Sequence, residues 1–367
     1  LAAAETRHVE GVLDGVAYEI AKPDDWNGDL VVYAHGYQGE GPGRGDVNIP
    51  EIDRHITDRG FAWAASGYRA KGYQPDWFLA DILALREHFI RTYGMPRRTI
   101  VYGQSLGGHV AVLALETRPE IFQAGLTECG AVDGIGLFDW REAYAAAAEY
   151  FSGLPLLDTS ERVFDTLKFA RVFDLVMGMP GRYTREGARF DSVAKHLSGG
   201  DLPYRLEGMA KFYNSNINPN VRSYGPSGNA DTRSMHFAID PGLGVDGATL
   251  DRSIRRTTPR PGMRSPAKPG FADLTGRIRV PLLTIHETAD FRVPFRIEQD
   301  YLRRTQAAGT SQLLVQRAQP KSGHCEFVGD MRERAFDDLV SWMDSSKRPE
   351  GDDVLGDPRE LGRRWRP

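Results

Sequence analysis

The chain has 367 residues, 41% of them hydrophobic and 26% charged, with a formal net charge of −4. This balance fits a globular protein able to bury a large core and excludes a disordered chain, and the small negative charge carries no nucleic-acid footprint. No apolar run approaches the roughly 18–20 residues that a bilayer-spanning helix requires.

From the N-terminus, His8 to Leu13 and Val16 to Ile20 read as an antiparallel hairpin around Asp14-Gly15, and Leu30 to Ala34 and Phe61 to Ser66 as further strands. Asp76 is placed to cap a helix from Trp77 to Tyr93, whose Phe78, Ile82, Leu85 and Phe89 share one face; Gly94 stops it and Pro96 prevents its continuation. Thr99-Ile100-Val101-Tyr102 is a buried-strand pattern that runs into Gly103-Gln104-Ser105-Leu106-Gly107, after which Leu106, Val110 and Leu113 recur at helical spacing. A serine between glycines on a strand-to-helix turn is a nucleophile elbow: a side chain at either glycine would clash with the neighbouring strand or helix. The sharp turn lifts the hydroxyl clear of the sheet at the positive end of a helix dipole. The strand Ala124 to Glu128 completes this half, and the alternation of strands and helices implies a mostly parallel sheet with helices on both faces.

The strand pattern resumes only at Arg279 to His286 and at Gln312 to Gln316, followed by a helix from about Met331 to Met343. The intervening residues, 134–277, are too many for a connection. They include helical patterns at Val163, Phe164, Leu167, Ala170, Phe173 and Val176, then turn polar and rich in Pro and Gly from Asn214 to Pro269. The expected organisation is a core of residues 1–133 and 278–348, a cap over the strand ends at 134–277, and an extended tail at 349–367. A separately functioning inserted domain is the alternative.

A serine hydroxyl needs a base to take its proton and an acid to hold that base in one tautomer. In the order Ser, acid, His, Asp290 follows the first late strand and His324 the second. Glu128 is the rival acid, or else an arginine partner; His35, His109 and His286 are rival bases. The developing oxyanion calls for two donors, which by position are the backbone N–H groups of Leu106 and of Tyr37, the latter in the loop His35-Gly36-Tyr37-Gln38 after an early strand. Tyr37, Tyr68, Tyr73 and Trp77 lie on loops at the strand ends, and Phe212 and Tyr213 in the cap, as candidate walls of an acyl site. The glycine-rich stretch Gly39 to Gly45 lacks the Lys-Ser/Thr of a phosphate-binding loop and reads as a flexible rim.

His35-Gly36-Tyr37, Gly103 to Gly107, Asp290 with Val293-Pro294, and Gly323-His324 together resemble the α/β-hydrolases of the serine esterase and lipase kind. The single glycine after His35 resembles their single-glycine oxyanion class, and the stretch from Gly323-His324-Cys325 through Trp342 resembles secreted bacterial hydrolases. The resemblance implies a capped hydrolase that cleaves a carboxylic ester, medium-sized and apolar or aromatic, through an acyl-enzyme on Ser105. It implies no metal and no organic cofactor, and a small-molecule ester as the partner. The same triad serves amide or peptide cleavage and carbon–carbon bond hydrolysis, and a non-catalytic ligand-binding homologue is a further alternative. The start Leu1-Ala2-Ala3-Ala4, with the resemblance, gives an expectation of export to the periplasm or medium. Cys129 and Cys325, both expected at the C-terminal edge of the sheet, permit either a disulfide clamping the histidine loop or two buried thiols. The oligomeric state is left open.

Overall fold

Eight strands form one sheet in the order β1-β2-β4-β3-β5-β6-β9-β10. The computed structural model describes residues 5–39, 41–154, 174–216, 229–262, 264 and 273–365, with backbone alone over 213–216. The strands are β1 (Thr6–Leu13), β2 (Val16–Pro23), β3 (Asp29–Ala34), β4 (Ala62–Ser66), β5 (Arg98–Gln104), β6 (Ala124–Glu128), β9 (Leu282–Ala289) and β10 (Leu314–Ser322). The hairpin β1–β2 and the pair β2–β4 are antiparallel; every pairing from β4 to β10 is parallel.

Burial follows the pleat. Leu30, Val32 and Ala34 of β3 face one core, and Val31 and Tyr33 face the other. Helices α2 (Pro75–Tyr93), α3 (Leu106–Thr117) and α8 (Arg296–Ala308) cover the first face; α1 (Asp53–Asp58) and α9 (Met331–Ser345) cover the second. A parallel sheet covered on both faces, with the elbow after β5, is the α/β-hydrolase fold. β4 and β5 lie on opposite sides of β3, so the chain parts at the C-terminal ends of β3 and β5, where α/β sheets bind ligands.

Between β6 and β9 lie α4 (Gly136–Ser152), a small hairpin of β7 (Gly178–Met179) and β8 (Arg182–Tyr183), α5 (Arg185–Ser198), α6 (Arg205–Asn216) and α7 (Gly247–Ser253). Gly208 lets α6 press onto the end of β9, since a Cβ there would lie 2.0 Å from the carbonyl oxygen of Ala289. The helical pattern from Val163 to Phe173 lies outside the described residues. In the C-terminal tail, Val354, Leu361 and Trp365 are buried and the Trp365 indole donates to Asp352 (2.8 Å), so an apolar anchor holds the end of an otherwise charged segment.

Three local expectations change. Pro75 takes the first helical position of α2, so Asp76 sits inside the first turn and does not cap it. β9 begins three residues later than expected, at Leu282, because Arg279 to Pro281 lead into it. It also runs on to Ala289, so His286 lies within the strand and not at its end.

Candidate active site

Ser105 stands between β5 and α3 with φ 54° and ψ −117°, a left-handed conformation that a side-chain-bearing residue adopts only when its surroundings enforce it. They do so through backbone. A Cβ on Gly107 would meet the carbonyl oxygen of Ala34 at 1.8 Å, and one on Gly103 would meet that of Gly107 at 2.1 Å. The Ser105 N–H donates to the Glu128 carbonyl (3.0 Å), and its own carbonyl accepts from Gly108 (2.9 Å) and Ala131 (3.0 Å).

The loops after β9 and β10 bring the other two groups to the serine. Ser105 Oγ lies 2.8 Å from His324 Nε2, and His324 Nδ1 lies 2.6 Å from Asp290 Oδ2. The other oxygen of the buried Asp290 accepts the N–H groups of Arg292 (2.7 Å) and Val293 (3.1 Å), which fixes the carboxylate plane. The His324 loop is tied down from several directions. A disulfide joins Cys325 to Cys129 at the end of β6 (Cα–Cα 5.3 Å), so the pair left open by the sequence is a clamp. Arg332 donates to the Cys325 carbonyl (2.8 Å), and the Glu326 N–H donates to the buried Glu287. Burial, followed by the nearby Asp290, pushes the Glu287 carboxyl above the usual range.

Glu128, the rival acid, faces away from this relay. It accepts from Gln104 Nε2 (2.8 Å) and is ion-paired with Arg332, so the arginine-partner reading describes its place. Burial raises its carboxyl, and Arg332 opposes that rise. Among the rival bases, His35 is buried, stacks on Tyr68 (4.0 Å between centroids) and donates to the Gly36 carbonyl (2.7 Å). Burial lowers its pKa to about 4, so its ring is neutral at neutral pH. His109 is buried on α3 with Nδ1 hydrogen-bonded to the Tyr73 hydroxyl (2.9 Å).

A cavity of about 350 Å³ opens in front of Ser105 and His324. Tyr37 and Leu106 both line it, and Gly36 brings the Tyr37 loop close, since a Cβ there would meet Ser105 Cβ at 3.3 Å. A serine, an imidazole and a carboxylate joined in series beside a cavity can perform acyl transfer.

Residues 51–171 match the model of the prolyl oligopeptidase family. The chain is a serine hydrolase of the α/β-hydrolase superfamily. No curated protein matches this hydrolase by sequence. Among solved structures it is similar to an esterase of Pyrococcus furiosus, at 14% identity over 94% of this chain and 92% of that one, with a TM-score of 0.48. It is also similar to the acylaminoacyl peptidase of Pyrococcus horikoshii, at 16% identity, 96% of this chain, 44% of that one and a TM-score of 0.46. A proline iminopeptidase-related protein from Thermus thermophilus aligns at 15% identity over 92% of this chain and 98% of that one, with a TM-score of 0.45. The hydrolase thus spans less than half the length of the acylaminoacyl peptidase.

Of the expected aromatic walls, Tyr37 and Tyr73 line the serine cavity. Tyr68 does not: it is buried between His35 and Phe78, to which it stacks at 4.0 and 4.1 Å, and it supports the Tyr37 loop from behind. Trp77 is 38% exposed on the first turn of α2, outside the cavity, because that turn points the indole to solvent. Phe212 lines a neighbouring cavity of about 540 Å³ that shares His324 and Arg292, and the Tyr213 side chain lies outside the described residues. The sequence reading missed Leu137, Phe138 and Arg141 of α4 in the serine cavity, and Arg292 beside them. Arg141 Nη2 donates to the Arg292 carbonyl (2.6 Å), linking α4 to the turn that carries Asp290. The apolar face of α4 was a signal for the first two; nothing local marks the arginines.

Proposed function

We propose that the hydrolase cleaves carboxylic esters. Ser105 attacks the carbonyl, His324 Nε2 takes the serine proton and returns it to the leaving alcohol, and Asp290 orients the imidazole and offsets its transient charge. The N–H groups of Leu106 and Tyr37 hold the oxyanion, and a water then releases the acyl group. The observation that carries this reading is the unbroken series from Ser105 Oγ to His324 (2.8 Å) and from His324 to Asp290 (2.6 Å).

Residues 134–277 act as the cap in this proposal, and α4 supports that role by contributing Leu137 and Phe138 to the cavity. Together with Tyr37 and Tyr73, the latter packed edge-to-face on Phe138, they form a wall that a medium-sized aromatic acyl group fits, while Arg141 and Arg292 admit a polar substituent. Export belongs to the same proposal, since a disulfide at the histidine loop suits an oxidising compartment.

Hydrolysis of p-nitrophenyl esters from acetate to palmitate, with benzoate included, tests this reading beside Ser105→Ala. Turnover that peaks at short, medium or aromatic acyl groups and disappears in the variant is the expected result. The match to the prolyl oligopeptidase family favours peptide cleavage as the second reading. Turnover of peptide p-nitroanilides with none on any ester would establish it instead.

A further inference from the structure

Behind the triad, on the side away from the cavity, a second imidazole stands between two buried carboxylates. His286 lies within β9 at 1% exposure, with Asp290 (2%) and Glu298 of α8 (1%) beside it. Its Nε2 donates to the Val293 carbonyl (2.8 Å) and lies 3.7 Å from Asp290 Oδ2, the same oxygen that holds His324. Its Nδ1 lies 3.3 Å from Glu298 Oε1, and neither of these two buried atoms has a hydrogen-bond partner among the described residues. The other Glu298 oxygen accepts from Thr284 and from Gln316 Nε2, both at 2.6 Å.

This arrangement suits a charged ring. A carbonyl oxygen faces Nε2 and a Glu298 carboxylate oxygen faces Nδ1, so with Glu298 ionised both neighbours are acceptors and the ring matches them as an imidazolium with hydrogen on both nitrogens. Burial alone lowers a histidine pKa, but Glu298 and Asp290 outweigh it and hold this one up at about 9. Glu287, the neighbouring carboxylate on β9, accepts the Glu326 N–H of the histidine loop. Tyr301 of α8 lies beyond Glu298, bonded to Glu116 (3.0 Å).

We propose that His286 is a positioning residue of the active site: it ties down the turn that aims Asp290 and places a compensating positive charge behind the triad carboxylate. Two carboxylates in one buried space repel, and a cation between them offsets that repulsion. With His286 charged, Glu298 is neutralised locally and Asp290 remains free to accept from His324. This inference rests on the Ser105–His324–Asp290 reading.

His286→Gln removes the charge and keeps a donor for the Val293 carbonyl. It leaves one more negative charge near His324, which favours the protonated imidazole, so the acid limb of kcat/KM moves to higher pH by about one unit. At the pH optimum kcat falls about 10-fold or more while KM stays within about threefold. The double variant His286→Gln/Glu298→Gln removes the opposing charge as well and returns the limb to within a few tenths of a unit of wild type. A packing role would lower stability and leave the limb in place, so an unmoved limb in a folded His286→Gln enzyme overturns the proposal. Ester turnover that survives Ser105→Ala would instead overturn the triad reading itself. Should His286→Gln fail to fold, nitrogen NMR of histidine-labelled wild type decides: a ring protonated on both nitrogens at pH 8 is expected, and its absence overturns the proposal.

Discussion

Ser105 is held by backbone packed on backbone, whereas His324 is held by side chains and a disulfide that reach it from distant elements. At the elbow, the first turn of α3 and the Ala34 carbonyl leave no volume for a Cβ at Gly103 and Gly107 respectively. The serine's position is therefore a property of the sheet. At the histidine loop the holding groups come from β6 (Cys129), β9 (Glu287), α9 (Arg332) and the turn of Asp290. The comparison teaches that the nucleophile is fixed by sterics, which are all or nothing, and the base by polar and covalent ties, which can be loosened one at a time.

The largest effect should come from breaking the steric side. Gly107→Ala drives a Cβ into the Ala34 carbonyl, where neither backbone can yield. It should cost more than about 4 kcal/mol, seen as little or no folded protein in thermal denaturation. On the polar side, Asp290→Asn should lower kcat by about 10⁴-fold with the fold intact, because the imidazole loses its orienting acceptor. Glu128→Gln, by contrast, should stay within about tenfold of wild type in kcat, since its carboxylate serves Arg332; an effect as large as that of Asp290→Asn would reverse the assignment of the acid. The smallest kinetic effect belongs to the clamp. Cys129→Ser/Cys325→Ser should cost about 2–5 kcal/mol of stability and lower kcat with little change in KM, measured by denaturant titration and steady-state kinetics.

The same division explains what can be read from the sequence. The elbow is legible in five residues because its requirement is local: two glycines, a serine, an apolar strand before and an apolar helical face after. The places of Asp290 and His324 are legible because each follows a strand with a clear apolar pattern. What surrounds them is not. Tyr68 sits on a loop at the strand ends as expected and Trp77 in the first turn of α2 instead, and side-chain direction, set by a left-handed φ of 60° at Tyr68 and by the helical turn at Trp77, sends both away from the cavity. His286 passes for a spare base, because only the packing of α8 against β9 reveals Glu298 at its other nitrogen. The polar residues Thr284, His286, Glu287 and Thr288 in a strand buried throughout were the available signal, since such groups stay buried only when they find partners.

The most direct test of the central claim is covalent labelling with a fluorophosphonate, located by mass spectrometry. The account predicts one adduct, on Ser105, absent in Ser105→Ala and formed far more slowly in His324→Gln. Folded protein that takes no label, or takes it on another residue, would contradict it.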